Sequence, residues 1–367
     1  MINRIYLKGL YFLNQLFGFL FYGLEKIKII KPIAFHVISA KDDVIQVNHA
    51  YPTNYNPQHK ILFDEWKTYP TFENKLFFLN DVSVSYMGIV SKGYQCFVPA
   101  LPHPVFKNKF GFLFNFHQNL FTKKIILSNT SNYFLVHDMW SYANYFHWMI
   151  DSLCRLFFWK EQLPQYTLLI HEGAPKYITE TLLLFPFKNR IEIPKNTRVV
   201  VPNLTVPDFC AWSGQQHPVV LKQVKTLLLN QYNSIEGGFE RIYVSRSQQK
   251  VRKINNEEAV VKLLKEKGFK VVYFESLSVA EQISITIHAK LFVTSHGANV
   301  TNALFMKQGK VLELLRNDKP NFCYWSSITC LDMPYYYQLC EVVNHDDLLV
   351  DLVELNKNID FMLRENS

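Results

Sequence analysis

Hydrophobic and polar positions follow two different patterns along the chain, and the pattern changes near residue 140. Before that point, short runs of β-branched and aromatic residues such as 82–86 and 124–127 are separated by turn clusters at 51–54 and 101–104. This pattern predicts a β-rich N-terminal portion. After residue 140, apolar runs of strand length alternate with helical periods, which is typical of parallel sheets covered by helices on both sides.

The alternating part predicts a series of named elements. Strands are expected at 167–170, 198–201, 241–245, 270–274, 291–293 and 310–314, and helices at 144–159, 175–185, 217–231, 257–267, 279–288 and within 347–364. Asn255 with Glu258, and Ser278 with Glu281, fit capping boxes at two helix starts. The chain is therefore predicted to be an α/β protein with an interdomain boundary near the helix at 217–231.

Polar residues follow three of the predicted strands at their carboxyl ends. They are Ser245-Arg246, Glu275 and His296-Gly297. Ligands of open parallel sheets bind beyond the carboxyl ends of the strands, so these positions are expected to share one rim.

The segment 295–299 ends a strand at Ser295 and opens a helix-compatible run near Asn299. Such a turn aims backbone N–H groups and the positive end of a helix dipole at one point, which suits a phosphate or diphosphate. Gly297 permits close approach of a ligand, and His296 adds a donor. The alternative is an ordinary strand-to-helix turn with a buried histidine, which the spacing alone favours because one glycine is weaker than a phosphate-loop pattern.

Two arginines lie in the loop that follows the strand at 241–245. Arg246 comes directly after the strand, and Arg252 is six residues later. An arginine at a strand end can bind diphosphate oxygens through two parallel hydrogen bonds. The alternative is a solvated basic loop, since Lys250 and Lys253 are also present.

His147 and Asp151 are four residues apart in a predicted helix, so they share one face. A histidine or an aspartate at such a position can serve as a base that takes a proton from a hydroxyl group, and either side chain could act in this way. The alternative is a core histidine beside a surface aspartate. Taken alone, the residues leave the pair unassigned.

Composition narrows the class of partner. The chain of 367 residues suits two domains, and 39 basic against 31 acidic residues give a net charge of +8. The charge fits an anionic substrate or membrane surface, whereas no block of like charge forms a nucleic-acid arm.

The six cysteines show neither zinc spacing nor a disulfide framework, which favours reduced thiols in a cytosolic protein. The chain contains no Asp-x-Asp, so we expect no metal site, and separately we expect no cofactor.

The N-terminal segment 1–31 leaves several interpretations open. Its uncharged, aromatic-rich stretch 9–24 is shorter than a bilayer span and is flanked by lysines. It fits an amphipathic helix on the inner face of an anionic membrane, or a helix packed on the protein itself. A short anchor of a Golgi or endoplasmic reticulum enzyme is a third interpretation.

Four ordered segments resemble the signature of glycosyltransferase family 61. They are the run 144–151, with its aromatic-His-x-x-x-Asp pattern, Tyr243-Val244-Ser245-Arg246 with 252–257, Glu275 to Gln282, and Ser295-His296-Gly297-Ala298 followed by Thr301-Asn302 and Phe305-Met306. The resemblance covers about 130–340. It implies a GT-B fold, with two Rossmann-like domains facing a cleft, and an inverting, metal-independent transferase that uses a nucleotide sugar, most simply a UDP-sugar.

The resemblance also implies site residues and partners. Asp151 would be the first choice for the base and His147 the second, and the donor would bind to Arg246, Arg252, Glu275, Ser295, His296, Gly297, Ala298, Asn299 and Asn302. The acceptor would be a cell-surface polysaccharide such as a capsule, a glycan or a lipid-linked precursor, and the sugar a hexose, pentose or N-acetylhexosamine.

The implied domains are an N-terminal acceptor-side domain at 32–215, a nucleotide-sugar-binding domain at 216–345, and a tail at 346–367 that packs back across the first domain. A non-catalytic glycan- or nucleotide-binding protein of the same fold is the alternative function. A methyltransferase lacks support because no Gly-x-Gly-x-x-Gly is present, and nucleic-acid binding would rest on the net charge alone.

Overall fold

The computed structural model describes residues 32–40, 44–107, 109–232, 237–249, 252–343 and 346–364. The predicted amphipathic or packed helix at 1–31 lies outside the described residues, as does Lys250 of the predicted basic loop.

Strands are distributed along the whole described chain. They are β1 Phe35–Ser39, β2 Gln46–Asn48, β3 Thr68–Pro70, β4 Lys75–Ser85, β5 Val90–Lys92, β6 Gln95–Cys96, β7 Lys123–Ile126, β8 Tyr133–Leu135, β9 Thr167–His171, β10 Asn189–Ile193, β11 Thr197–Pro207, β12 Arg241–Val244, β13 Lys270–Val272, β14 Leu291–Ser295, β15 Lys310–Arg316, β16 Tyr335–Val343 and β17 Asp347–Leu349.

The α-helices are α1 Lys60–Lys67, α2 Phe112–Phe121, α3 Leu153–Phe158, α4 Lys176–Thr181, α5 Pro218–Gln231, α6 Glu257–Glu266, α7 Val279–Thr286, α8 Cys323–Cys330 and α9 Leu352–Arg364. A π-helical turn at His147–Ser152 precedes α3, and 3-10 helices lie at Pro57–His59, Val98–Ala100, Pro104–Lys107, Lys160–Gln165, Leu182–Leu184 and Ala298–Phe305.

The chain divides into two compact units, and the second contains an N-terminal segment. The N-terminal unit holds the described residues before 44 together with Phe72–Trp212, and the C-terminal unit holds Val44–Thr71 and the described residues from Ser213 onward. The sequence assigned 44–71 to the first domain. The structure groups this segment with the second because the ring of Phe63 lies 4.2 Å from that of Phe322 and 4.9 Å from that of Trp325.

The N-terminal unit is built on one mixed sheet. Its strand order is β10-β9-β8-β11-β4-β5-β6, with β1 also pairing with β4 and β7 with β11. The strands β8, β9, β10 and β11 run parallel to one another, whereas β4, β5 and β6 are antiparallel. The buried side of this sheet includes Leu79, Val84, Leu135, Leu169 and Val201.

The C-terminal unit contains a six-stranded sheet in the order β13-β12-β14-β15-β16-β17, whose first five strands are parallel. Numbered in chain order within this sheet, the five parallel strands are arranged 2-1-3-4-5, an order found in doubly wound folds. The order of the strands reverses between β12 and β14. Ligands of such sheets bind at this switch point, beyond the carboxyl ends of the strands. The predicted α/β class is confirmed.

One face of this sheet is covered by α6 and α9. Tyr243 and Leu312 of the sheet share a buried cluster with Leu264 of α6 and with Leu355 and Ile359 of α9. We predicted that the tail would pack back across the first domain. The apolar side of α9 is instead buried in the C-terminal unit, because its leucine and isoleucine recur at helical spacing and cover the parallel strands.

The two predicted capping boxes had different outcomes. At α7, Ser278 Oγ accepts the N–H of Glu281 while the Glu281 carboxylate accepts the N–H of Ser278, so this box is confirmed. The box of Asn255 with Glu258 is wrong. Asn256 occupies the cap position of α6 without a side-chain capping bond, because its amide binds both the N–H and the C=O of Val350.

Across the described ranges, the helices are too short or too polar for any of them to cross a bilayer.

Candidate functional site

Arg246 and Gly297 meet at the switch point of the C-terminal sheet. Arg246 lies two residues after β12, and Gly297 lies two residues after β14. A Cβ placed on Gly297 would stand 2.2 Å from Nη1 of Arg246 and 2.7 Å from its Cζ, so the guanidinium rests directly on the glycine backbone. Gly297 has φ +151°, a region that other residues rarely adopt. A residue with a Cβ at this position would strain the backbone and would also displace the guanidinium of Arg246.

The surroundings of Arg246 leave hydrogen-bonding capacity unused. Arg246 Nε, Ser295 Oγ and Asn299 Nδ2 are buried and have no hydrogen-bond partner among the described residues. Burial and the nearby charge of Arg252 lower the pKa of Arg246. An anion beside this guanidinium would offset both effects, since it brings opposite charge and acceptor oxygens.

His296 is held by a glutamate that the sequence analysis did not single out. His296 Nδ1 lies 2.6 Å from Oε1 of Glu313, and the hydroxyl of Tyr335 donates to Oε2 at 2.6 Å. Glu313 is fully buried. An ionised carboxylate only accepts hydrogen bonds, so it favours the proton on Nδ1 and turns Nε2 away from β15. The His296 backbone N–H donates to Leu314 O, which fixes the start of the loop.

A small pocket of about 200 Å³ opens beside His296 and is rich in basic side chains. Arg252 lines it in a left-handed conformation with φ +59°. Arg316 also lines it, with two bonds to Asp318 and one of 2.8 Å to Asp346 that hold its guanidinium in place. Because those two carboxylates offset Arg316, Arg252 and Lys319 supply the remaining positive charge of the pocket.

The other donor-site residues predicted from the sequence lie in the same unit. Glu275 follows β13 and its Oε1 accepts the amide of Gln249 at 2.8 Å. Ala298 begins the helix Ala298–Phe305, which is a 3-10 helix and not the α-helix that the loop pattern suggests. Asn302 is buried within this helix. The residues described contain no cluster of three His, Cys, Asp or Glu side chains arranged to hold a metal ion.

His147 and Asp151 are brought together in the N-terminal unit by a π-helical turn. His147 Nδ1 lies 2.9 Å from Oδ2 of Asp151, and the side chains are 19% and 9% exposed. The sequence predicted an ordinary helix here. In a π-helix the bonds run from i to i+5, so the residue at i+4 lies closer beneath residue i, and such turns recur at functional sites. Asn144 Oδ1 accepts the N–H of Phe146 at 3.0 Å at the start of the turn.

The His147 ring is also held from its flat side. The indole of Trp140 stacks on it, with ring centroids 4.7 Å apart and planes inclined by 26°. The backbone N–H of Trp140 donates to Oδ1 of Asp138. The other carboxylate oxygen of Asp138, Oδ2, lies 3.4 Å from Nη1 of Arg155. Arg155 also donates to Pro207 O at 2.6 Å. A buried ion pair thus fixes the loop that carries the stacking ring.

The sequence patterns considered above did not indicate Glu313, Trp140 or the Asp138–Arg155 pair. A signal existed for Glu313, which is an acidic residue within the apolar run 311–315. A charged side chain in a buried strand needs a partner, so this position could have been singled out.

A family model described as Glycosyltransferase 61 matches residues 145–312. The matched region includes the His147–Asp151 pair, Arg246 and the loop around Gly297, and it ends one residue before Glu313. No curated protein matches the chain. A match to this family implies glycosyltransferase activity in general. The match through residues 145–312 supports assignment of the chain to glycosyltransferase family 61.

Proposed function

We propose that this protein is an inverting glycosyltransferase that moves a sugar from a UDP-linked donor to a hydroxyl of a glycan or a lipid-linked glycan precursor. The observation that carries the proposal is the contact of Arg246 with Gly297 at the switch point of a parallel sheet, within the matched region. Buried donors without partners surround this contact in the described structure, which supports binding of an anionic group.

On the donor side, the proposal assigns the diphosphate to Arg246 and the loop 295–299. When the bond between the anomeric carbon and the phosphate oxygen breaks, its electron pair stays on that oxygen and adds negative charge to the leaving UDP. Arg246 and the first N–H groups of the 3-10 helix would stabilise this charge. Arg252 and Lys319 of the neighbouring pocket would supply further positive charge. No metal ion or cofactor takes part in this proposal.

On the acceptor side, the proposal assigns the base to the His147–Asp151 pair. As the acceptor oxygen attacks the anomeric carbon, its proton passes to the base. The family resemblance made Asp151 the first choice for this base. The greater exposure of His147, and the position of its Nδ1 on the Asp151 carboxylate, support the reverse assignment, in which His147 takes the proton and Asp151 orients and stabilises the imidazolium.

The GT-B arrangement, with the two units facing one cleft, is part of the same proposal. A cytoplasmic location, with peripheral contact to the inner face of a membrane, also belongs to it, because the acceptors of surface polysaccharide synthesis are membrane-bound. An anchored protein of the Golgi or endoplasmic reticulum lumen is the alternative location. The proposed partners are the nucleotide sugar and the glycan acceptor, without nucleic acid.

A panel of nucleotide sugars tests the proposal. The purified full chain is incubated with UDP-, GDP- and CDP-sugars, and thermal protection and slow donor hydrolysis are measured for each. We expect at least one UDP-sugar to protect the chain from thermal unfolding and to be hydrolysed slowly. NMR of the released sugar should show inversion at the anomeric carbon.

The variant Asp151→Asn separates the two candidate functions. For a transferase it should keep donor protection and lose hydrolysis. If the wild-type chain is protected without hydrolysis or transfer, the non-catalytic binding function is correct. If no nucleotide sugar protects the chain, the donor site is assigned to the wrong residues.

A further inference from the structure

The helix α2 presents an apolar, aromatic surface to solvent on the N-terminal unit. Phe116, Leu120 and Phe121 are 41%, 60% and 69% exposed, and Val105 nearby is 68% exposed. Single exposed apolar residues are ordinary on protein surfaces, but a contiguous patch usually marks a binding surface.

The exposed side chains form two adjoining rows along α2. Phe112, Phe116 and Leu120 follow one another at spacings of four, and the rings of Phe112 and Phe116 stack with centroids 5.8 Å apart. His117 and Phe121 form the second row, with ring centroids 5.1 Å apart. Residues four apart lie on one face of a helix, so the apolar side chains make a continuous strip.

The opposite side of α2 is anchored to the N-terminal unit, so the strip is fixed in its outward orientation. Asn115 is buried and its amide donates to both Phe110 O and Gly111 O at 2.9 Å. Phe114 packs on the buried Phe110, with ring centroids 5.0 Å apart. Phe112, at the start of the strip, also packs on Tyr94 with ring centroids 4.9 Å apart, whereas Phe116, Leu120 and Phe121 remain exposed.

The chain segment that carries the strip has charge of one sign. Between residues 82 and 137 the chain contains five lysines and no aspartate, glutamate or arginine. Lys107 and Lys109 precede α2, Lys123 and Lys124 follow it, and all four are exposed. An exposed aromatic strip bordered by lysines combines the two attractions of an interfacial helix, which are burial of apolar area and attraction to anionic lipid.

We propose that α2 is a membrane-docking helix, which inserts Phe116, Leu120 and Phe121 into the interface of an anionic bilayer while Lys109, Lys123 and Lys124 contact lipid phosphates. This site is distinct from the predicted N-terminal helix at 1–31 and does not depend on it. It would hold a transferase at the surface where lipid-linked acceptors lie. The inference does not require the proposed sugar transfer, because docking needs no nucleotide sugar.

A local fluorescent probe tests insertion of α2 itself. All six cysteines are buried, so a surface thiol introduced by Leu120→Cys can be labelled selectively in the full-length chain with an environment-sensitive dye. We expect a blue shift with vesicles of phosphatidylcholine and phosphatidylglycerol and little shift with phosphatidylcholine alone. Leu183→Cys, at a position 75% exposed in the same unit, is the matched control and should show no shift.

Vesicle sedimentation of unlabelled full-length variants gives the second measurement. The triple variant Phe116→Ser, Leu120→Ser, Phe121→Ser should lower the partition coefficient on anionic vesicles by about tenfold or more. Replacing Lys109, Lys123 and Lys124 by Gln should lower it about fivefold for each lysine. Leu183→Ser and Lys188→Gln are the controls and should sediment as the wild type does.

Several outcomes would overturn the proposal. They are a probe at position 120 that does not respond to anionic vesicles, equal responses at positions 120 and 183, and folded α2 variants that sediment like the wild type. A change of oligomeric state in the triple variant without any effect on vesicle binding would assign the strip to self-association instead.

Discussion

Glu313 lies in the middle of β15, and one of its carboxylate oxygens is 2.6 Å from Nδ1 of His296, in the loop that follows the neighbouring strand β14. The parallel pairing of these strands places Thr294 opposite Glu313. The His296 side chain, two residues further along, can therefore fold back onto the carboxylate. The ring orientation of the histidine in the candidate donor site is thus set by the sheet and not by the loop.

Replacing Glu313 by Gln should weaken UDP binding about tenfold. The glutamine amide has one oxygen, so it can accept a hydrogen bond from only one of His296 and Tyr335. The other donor then faces the amide N–H group, and a hydrogen bond to a charged group, worth roughly 1.5–3 kcal/mol, is lost. Calorimetry with UDP measures the change. Tyr335→Phe is the matched control, because it keeps the carboxylate–His296 bond and should bind UDP within about threefold of the wild type. Equal losses in both variants would mean that Glu313 acts only through the stability of the fold.

Replacing Arg246 by Ala should weaken UDP binding by about 1.5–3 kcal/mol, because a charge-assisted hydrogen bond to the diphosphate is lost. Arg246→Lys should recover only part of this loss, since an ammonium cannot make two parallel bonds. Isothermal calorimetry checks both variants. Lys262→Ala, on the exposed side of α6 in the same unit, serves as the control. Unchanged affinity in Arg246→Ala would remove Arg246 from the donor site.

Replacing Gly297 by Ala should abolish most nucleotide binding by moving Arg246. The added methyl group would stand 2.2 Å from Nη1, so the guanidinium must leave its position. Gly237→Ala is the matched control, because Gly237 also has a positive φ of 126° but nothing lies within 4 Å of its added methyl group. Both variants carry backbone strain, and only the first blocks the arginine. Thermal protection by UDP should therefore disappear in Gly297→Ala and persist in Gly237→Ala.

Both residues of the π-helical turn should be needed for full turnover. His147→Gln should lower kcat by roughly 10²–10⁴, the usual contribution of a positioned base, with donor binding nearly intact. Asp151→Asn should lower kcat by a similar factor, because the histidine loses the carboxylate that orients it. An inactive Asp151→Asn beside an active His147→Gln would restore the aspartate as the base. If both variants keep full activity, the turn is structural only.

Acid should destabilise the N-terminal unit through two buried histidines. Burial lowers the pKa of His137 to about 3 and that of His171 to about 4, against an ordinary value of 6.5. The unfolded chain therefore binds more protons than the folded chain between about pH 6.5 and pH 4, and stability falls as the pH falls through that window. Each histidine should cost about 2 kcal/mol of unfolding free energy between pH 7 and pH 5.

Urea denaturation at the two pH values measures this loss. His137→Gln should remove about 2 kcal/mol of the difference, whereas the exposed His103→Gln should leave it unchanged. A pH dependence that is the same in both variants would show that other groups cause the acid effect.

The sequence predicted the strand–helix alternation well, because buried parallel strands appear as short continuous apolar runs, such as 291–293 and 310–314. The candidate donor loop was predictable for the same reason, since Arg246 and Gly297 both follow such strands. The π-helical turn was not, because a single turn of six residues leaves no periodic signal. The role of Glu313 depends on the register between β14 and β15, which local sequence does not encode.

The grouping of segment 44–71 with the C-terminal unit has a consequence for synthesis of the chain on the ribosome. The Asn54 amide donates to Tyr337 O and accepts the Tyr337 N–H, and these residues are 283 positions apart. At about 5–20 residues per second, roughly 15–60 s pass between their appearance. For most of that time Phe63 has none of its three later ring partners, Phe322, Trp325 and Tyr337. The C-terminal unit can therefore fold completely only after residue 337 has been synthesised.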